Sequence, residues 1–384
     1  MLLTGTGRLA PAGRSPWAIQ LHGETIAWIG DPADAPSDAE RVELGGSLVT
    51  PGIVDSHTHP VFAGDRSDEA AARLEGEPYT DGGILRTVRA TRAADDEILE
   101  ELVAARLRAS LAAGTTTVEC KSGYGLTLDE ELRHLRLLRR VAASVPVRVV
   151  TTFLGAHAVP RDTTMDGHAR RVATEMIPKV AEEGLAEFVD VFADAGFFDL
   201  AATEMISRAA LEHGLGLRLH AEQLSRTGAA ELGVRLGAAS VDHLEQLDAS
   251  GVGVLGGSGT VATLLPAPAV VLRDRLPPAR ALLDAGATVA LASDANAGTY
   301  GGFGSMPLVI GLGATLLQMT VAEALTAATA GGATALRRSD LGRLEVGAAA
   351  DIVAWDAVHE GAFALRLGGI RPSRVWIAGR EVTP

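Results

Sequence analysis

His57 and His59 stand two residues apart at the end of an apolar run that begins at Gly52. Side chains at i and i+2 share one face of a strand, so both imidazoles can reach one cation. Chance alone supplies roughly a quarter of such a pair in a chain with this histidine content, so the pair gains meaning from its company. That company is His157, His220, His243 and Asp294, each at or just past the end of another short apolar run. His57, His59, His220 and Asp294 together make a three-nitrogen, one-oxygen donor set. Such a set suits one divalent metal, Zn2+ or iron (Fe2+ or Fe3+), and no thiolate is at hand to shift the preference. A metal so held lowers the pKa of water toward about 7. Asp294 is placed to accept the water proton and return it to a leaving nitrogen. His243, in the segment Ser240–Leu244 (SVDHL), is placed to hydrogen-bond the water or the developing oxyanion. The chemistry is metal-assisted hydrolysis.

The elements that must position these groups follow from the hydrophobic pattern. Short apolar runs bounded by Gly or Pro occur at 115–120, 147–153, 187–192, 217–220, 239–243, 260–265 and 288–293, and the run ending at His57 makes eight. Helical patterns lie between nearly all of them, at 98–112, 128–143, 169–183, 202–213, 228–236 and 278–285. Alternation of this kind predicts a parallel sheet closed into a (β/α)8 TIM-like barrel, with the site at the C-terminal ends of the strands. Thr320-Val-Ala-Glu323 is a capping box opening a helical tail. Trp17–Leu21 and Thr25–Ile29, joined across His22-Gly23-Glu24, predict a hairpin, followed by a polar loop over Asp31–Asp38. Ala350–Trp355 and Arg374–Gly379 return to a strand pattern and are expected to pair with that hairpin. The expected organisation is residues 51–344 as the barrel, with 1–50 and 345–384 as the two parts of a small β-sandwich domain.

Composition narrows the partners. The chain has 34 Lys and Arg against 48 Asp and Glu, a formal charge of −14, which argues against a duplex or an anionic membrane surface. Aromatics at 4% leave little for base-stacking platforms. The lone Cys120 removes any disulfide framework and reads as a small core residue. No targeting segment or membrane span is expected, which makes the cytoplasm the default. The glycines around Leu255 do not open a phosphate cradle. His22, His134, His168, His213 and His359 fall in turns or helices away from the strand ends and are expected at the surface. Asp65, Asp68 and Glu69 read as a solvated acidic run.

The segment Pro51–His59 (PGIVDSHTH) resembles the first-strand signature of the amidohydrolase superfamily. Val61–Ser67 (VFAGDRS), Gly82–Arg92 (GGILRTVRATR), Glu119–Gly125 (ECKSGYG), Phe153–Pro160 (FLGAHAVP), Leu219–Leu224 (LHAEQL) and Leu264–Pro266 (LLP) resemble one of its branches, the ring-opening hydrolases of histidine degradation. The resemblance runs over nearly the whole chain. It implies hydrolysis of the cyclic C–N bond of 4-imidazolone-5-propanoate to N-formimidoyl-L-glutamate, or alternatively a ring deaminase with the same metal site. It implies His57, His59, His220 and Asp294 as ligands of one metal, and Arg66 as the group binding the substrate carboxylate through its planar fork. Tyr124 and His157 are implied as ring-binding groups, Gln223 as a holder of the ring amide or product formimidoyl group, and Asn296, Gly298 and Thr299 as product contacts. A small carboxylate-bearing molecule is the implied partner, and a homodimer is compatible with the branch. After Asp294 the family's usual Phe-Asn-Pro-Gly-Ser-Ser-like run becomes ANAGTYGGF over Ala295–Phe303, with Ala297 in place of a rigid Pro and Thr299 in place of a Ser. Lys121 admits a second reading as a bridge between two metals, but its Lys-Ser-Gly-Tyr context favours loop positioning.

Overall fold

The computed structural model describes residues 1–36, 39–76 and 81–383. Within them, eight strands form one parallel sheet in sequence order: Ile53–Asp55, Thr115–Lys121, Arg148–Ala156, Phe188–Ala193, Gly216–Ala221, Ser240–His243, Val261–Leu264 and Val289–Leu291. Nearly all their residues are buried, which is why the runs are continuously apolar or β-branched rather than alternating. The third strand runs on to Ala156, three residues beyond the expected end.

Helices separate most of the strands, and side chains fix where several of them start. Thr127 caps Leu128–Ala142, Asp199 caps Leu200–Glu212 and Asp248 caps Ala249–Leu255, each accepting an N–H three residues on. The capping box at Thr320 is formed. The helix expected over 169–183 is instead Met165–Arg171, a π turn over Val172–Met176, and Ile177–Glu182. Pro178, which has no N–H to donate, sits at the start of the last piece. Several helices were not expected: Ser67–Leu74 and Asp81–Ala93 between the first and second strands, and Ala249–Leu255, Pro266–Leu272, Met306–Thr315 and Ala362–Arg366 further on. Of the loop expected over Asp31–Asp38, the last two residues lie outside the described ones. Pro32–Asp34 forms a 3-10 turn whose Ala33 N–H donates to Asp31 at 2.9 Å.

The chain ends form two further four-stranded sheets. One has the order Thr25–Gly30, Trp17–His22, Leu2–Gly5, Arg41–Glu43; the other has Arg380–Val382, Pro372–Ile377, Ile352–Trp355, Val49–Pro51. The hairpin is as expected, but Ile352–Trp355 and Pro372–Ile377 do not join its sheet; the contact is one bridge, Thr25 to Ala349, with the Ala350 N–H donating to the Glu24 carbonyl at 2.8 Å. Ile352–Trp355 pairs antiparallel with Val49–Pro51, with Ala354 opposite Val49. The two sheets meet face to face over a core that includes Leu3, Trp17, Ile19, Ile26, Ile352 and Trp376. The C-terminal sheet is apolar on both faces: Ile352, Ala354 and Trp376 pack on the hairpin sheet while Val353, Trp355 and Val375 join the barrel core, so stacking buries surface that edge pairing would leave exposed. No helix among the described residues is long and apolar enough to cross a membrane.

Candidate active site

The seam between the eighth and first barrel strands closes just beyond their ends. The Asp55 carboxylate accepts from the Ser293 N–H at 3.0 Å and the Ser293 hydroxyl at 2.6 Å. The Asp294 N–H donates to the His57 carbonyl at 3.0 Å, and the His59 N–H to the Ala295 carbonyl at 2.9 Å. Barrel closure and donor cluster are therefore one construction. The Nε2 atoms of His57, His59 and His220 lie 3.2, 3.3 and 3.4 Å from one another. Asp294 Oδ1 is 3.6 Å from His57 Nε2 and 3.4 Å from His59 Nε2. Four ligand atoms placed tetrahedrally about 2.0–2.1 Å from a Zn2+ would stand about 3.3–3.4 Å apart.

Hydrogen bonds decide which nitrogens are bare. His57 Nδ1 donates to Asp242 Oδ2 at 2.6 Å, and His220 Nδ1 to Asp190 Oδ1 at 3.1 Å. Both rings then turn an Nε2 lone pair inward, and two lone pairs facing each other at 3.2 Å call for a cation between them. Burial keeps His57 and His59 neutral by lowering their pKa, and the Lys121 charge adds to this at both. Burial opposes ionisation of Asp294, but the His59 hydrogen bond and the fields of His243, His59 and His220 hold its carboxyl below the ordinary range. The residues present fit a divalent metal.

A buried ionic layer orients these ligands. Lys121 Nζ lies 2.8 Å from Glu119 Oε1 and 2.9 Å from Asp190 Oδ2, and Arg218 Nη2 lies 2.9 Å from Asp242 Oδ2. All five side chains are fully buried, which charges tolerate only when paired. Glu119 also accepts from the N–H of Thr58, between the first two histidines, at 3.2 Å. Lys121 is thus the last residue of the second strand and an ion-pair partner, not a loop residue.

A small inner cavity of about 20 Å3 beside the donors is walled by Arg66, Tyr124, His157, Gln223, Asn296 and Thr299, with His243 across from them. His157 Nδ1 donates to the Gly123 carbonyl at 2.9 Å, leaving Nε2 as an acceptor, and its ring stacks on His59 at 5.2 Å. Burial, reinforced by His59 and His220, keeps His157 neutral. Burial opposes charge on His243 as well, but the Glu245 carboxylate 3.5 Å from its Nδ1 raises its pKa overall. The Arg66 guanidinium is buried and donates through Nε and Nη2 to Glu69 at 2.8 and 2.6 Å. Glu69 also accepts from Arg73, which reaches the Gly298 carbonyl, each at 2.6 Å. Gly298 lies flush against Arg66: a Cβ there would stand 2.2 Å from Nη1.

Asn296 holds the loop that lacks the family's proline. Its Oδ1 accepts the N–H groups of Gly298 and Thr299 at 2.7 and 2.8 Å. Its Nδ2 donates to the Asp294 carbonyl and the Thr299 hydroxyl, both at 2.6 Å. The amide is therefore fully committed within the loop.

Other placements differ from expectation. His22, His213 and His359 are exposed, but His134 and His168 are buried. Each lies on the inward face of an amphipathic helix. Asp68 pairs at the surface with Arg86 and Asp65 accepts from Ser67, whereas Glu69 turns inward to Arg66. Gln223 is buried in a bend, with the following helix starting only at Ala229. Glu69, Glu119, Asp190, Arg218 and Asp242 were not foreseen as parts of the site. A signal existed for the last four: each is a charge inside a strand run buried on both faces, where it needs a partner.

The model of the Amidohydrolase family matches residues 48–382. An imidazolonepropionase of Nocardia farcinica is 45% identical over 389 residues, covering 98% of this chain and 97% of its own length. One from Ectopseudomonas mendocina is 49% identical over 340 residues, covering 85% of this chain and 83% of its own length. Among solved structures, 5-methylcytosine deaminase from Klebsiella pneumoniae liganded with 5-fluorocytosine superposes with a TM-score of 0.81 at 17% identity, covering 100% of this chain and 97% of that one. That likeness shares the fold, with the barrel and its flanking sheets. The chain belongs to the amidohydrolase family and, within it, groups with the imidazolonepropionases.

Proposed function

We propose that this enzyme hydrolyses 4-imidazolone-5-propanoate to N-formimidoyl-L-glutamate, the ring-opening step of L-histidine degradation. The observation that carries the reading is three converging imidazole nitrogens and Asp294 beside a buried guanidinium, in a chain similar over nearly its full length to imidazolonepropionases. His57, His59, His220 and Asp294 would hold a divalent ion, Zn2+ or iron, which would supply Lewis acidity and lower the pKa of a nearby water toward about 7.

The chain's own groups do the rest. Asp294 takes the proton of the attacking water at a carboxylate oxygen and returns it to the ring nitrogen as the C–N bond breaks. His243 carries a proton and donates a hydrogen bond to the carbonyl oxygen as negative charge grows on it. Arg66 binds the propanoate, with Glu69 fixing the plane of its guanidinium. Tyr124 packs beside the ring, and His157 Nε2 accepts a ring N–H. Gln223 holds the amide or formimidoyl end. The Thr299 hydroxyl, whose oxygen already accepts from Asn296, turns its proton toward the product, while Asn296 and Gly298 shape the loop. In this reading residues 51–344 are the catalytic unit, flanked by 1–50 and 345–384, and the substrate is a diffusible cytoplasmic metabolite.

Turnover of imidazolonepropanoate by purified enzyme, with metal content measured on the same batch, tests the reading. Activity should vanish on chelation and return with Zn2+ or Fe2+, and Asp294→Ala should lower kcat at least about 10³-fold. Full activity of Asp294→Ala, or of metal-free protein, overturns it.

A further inference from the structure

Beside the inner cavity lies an outer one of about 590 Å3 that shares Arg66, Asn296 and Thr299 with it. Among the described residues, Arg66, Arg73 and Arg106 line it with a single carboxylate, Asp65, in a chain whose formal charge is −14. Glu69 pairs with both Arg66 and Arg73, and Asp65 is turned back onto Ser67. Arg106 is different. Its Nη1 donates to the carbonyls of Pro60 and Phe62, both at 2.7 Å, and its guanidinium lies 3.5 Å over the Phe62 ring. Among the described residues no carboxylate pairs with it, and its Nε and Nη2 have no acceptor. Burial pushes its pKa down to about 10, so it is still charged at neutral pH. A half-buried cation with donors to offer and no counter-charge is costly, and an anionic ligand would relieve that cost.

We propose that the outer cavity is a receiving vestibule for carboxylates, in which Arg106 docks the propanoate of the incoming substrate before it crosses the shared wall to Arg66. The inference rests on the function proposed above and adds a second carboxylate site to it. Cation, shape and surroundings agree. Phe62 and Phe303 pack against the guanidinium and hold it in the cavity wall, and the cavity is large enough for the whole molecule. A local positive patch on an acidic protein also counters the repulsion that an anionic substrate meets on approach.

The test uses metal-loaded wild type, Arg106→Gln and Arg106→Lys. It measures kcat and KM for imidazolonepropanoate, and the association rate of 3-(imidazol-4-yl)propanoate, across a range of ionic strengths. In Arg106→Gln, kcat/KM and the association rate should fall about three- to tenfold at low salt, with the loss on kcat/KM rather than on kcat. The decline of both quantities with salt, present in wild type and in Arg106→Lys, should flatten in Arg106→Gln. Equal rates and salt dependence in all three proteins overturn the vestibule. So does a parallel loss of kcat and bound metal in Arg106→Gln, which makes Arg106 a brace for the segment after His59. If wild type turns over imidazolonepropanoate yet is indifferent to Arg106, only this inference falls. If wild type neither turns it over nor binds the analogue, the proposed function falls.

Discussion

His243 and Asp294 both occupy left-handed backbone, at φ 83° and 49°. Non-glycine residues hold such conformations at a cost of about 1–3 kcal/mol each, so the surrounding hydrogen bonds must enforce them. For Asp294 they do: its N–H is tied to His57 and its carbonyl to Asn296, which aims the carboxylate at the donor cluster. Gly298 shows the same economy in the other direction, since the absence of a side chain lets backbone close on Arg66. Gly298→Ala should push the guanidinium off Glu69 and raise KM for a carboxylate substrate about tenfold, the loss of one charge-assisted hydrogen bond. Stability should change little, because the clash is with a side-chain end. Steady-state kinetics beside a melting curve checks this, and an unchanged KM would separate Gly298 from Arg66.

At the scale of elements, the barrel strands carry charges that only their neighbours make tolerable. Asp190 serves His220 and Lys121 from the fourth strand, and Asp242 serves His57 and Arg218 from the sixth. The helix Leu128–Ala142 carries a titrating group with no such partner. His134 is buried, neither ring nitrogen has a hydrogen-bond partner among the described residues, and Glu130 Oε2 is 3.9 Å away. Burial, with help from Arg133 and Arg92, lowers its pKa from 6.5 to about 3. The folded state therefore excludes a proton that the unfolded state accepts. Its contribution is intact above pH 6.5 and drains away as pH falls toward 3, by up to about 4–5 kcal/mol. His134→Leu should flatten the fall in Tm between pH 6.5 and about 4.5. Parallel Tm curves for the two proteins would show that His134 is not the acid-sensitive group.

For the molecule as a whole, the ligands come from the first, fifth and eighth strand ends, so one ion would tie together segments more than 230 residues apart, as Asp55 and Ser293 already do. Metal in about 1,000-fold excess over its Kd stabilises the folded state by about 4 kcal/mol, which should raise Tm by roughly 5–10 °C over stripped protein. The increment should persist through the ordinary histidine range and shrink only below it, because burial keeps His57 and His59 neutral there and only protonated imidazoles cannot bind metal. Differential scanning calorimetry of loaded and stripped protein checks both statements. Equal melting temperatures at neutral pH would mean that the donor cluster holds no metal.

Strand and helix alternation, and the spacing of His57 and His59, were readable in the chain because hydrophobic period and side-chain direction are local properties. Those properties also placed His157, His220, His243 and Asp294 at strand ends, and hence on one rim. What they left open was every pairing across the barrel: Glu69 on Arg66, Lys121 between two carboxylates, Asp242 behind His57, and the stacking of the C-terminal sheet on the hairpin sheet. Local pattern says that a residue is buried or that a strand has an apolar face. It does not say which distant group stands opposite, because that depends on closure of the sheet, which only the tertiary structure decides.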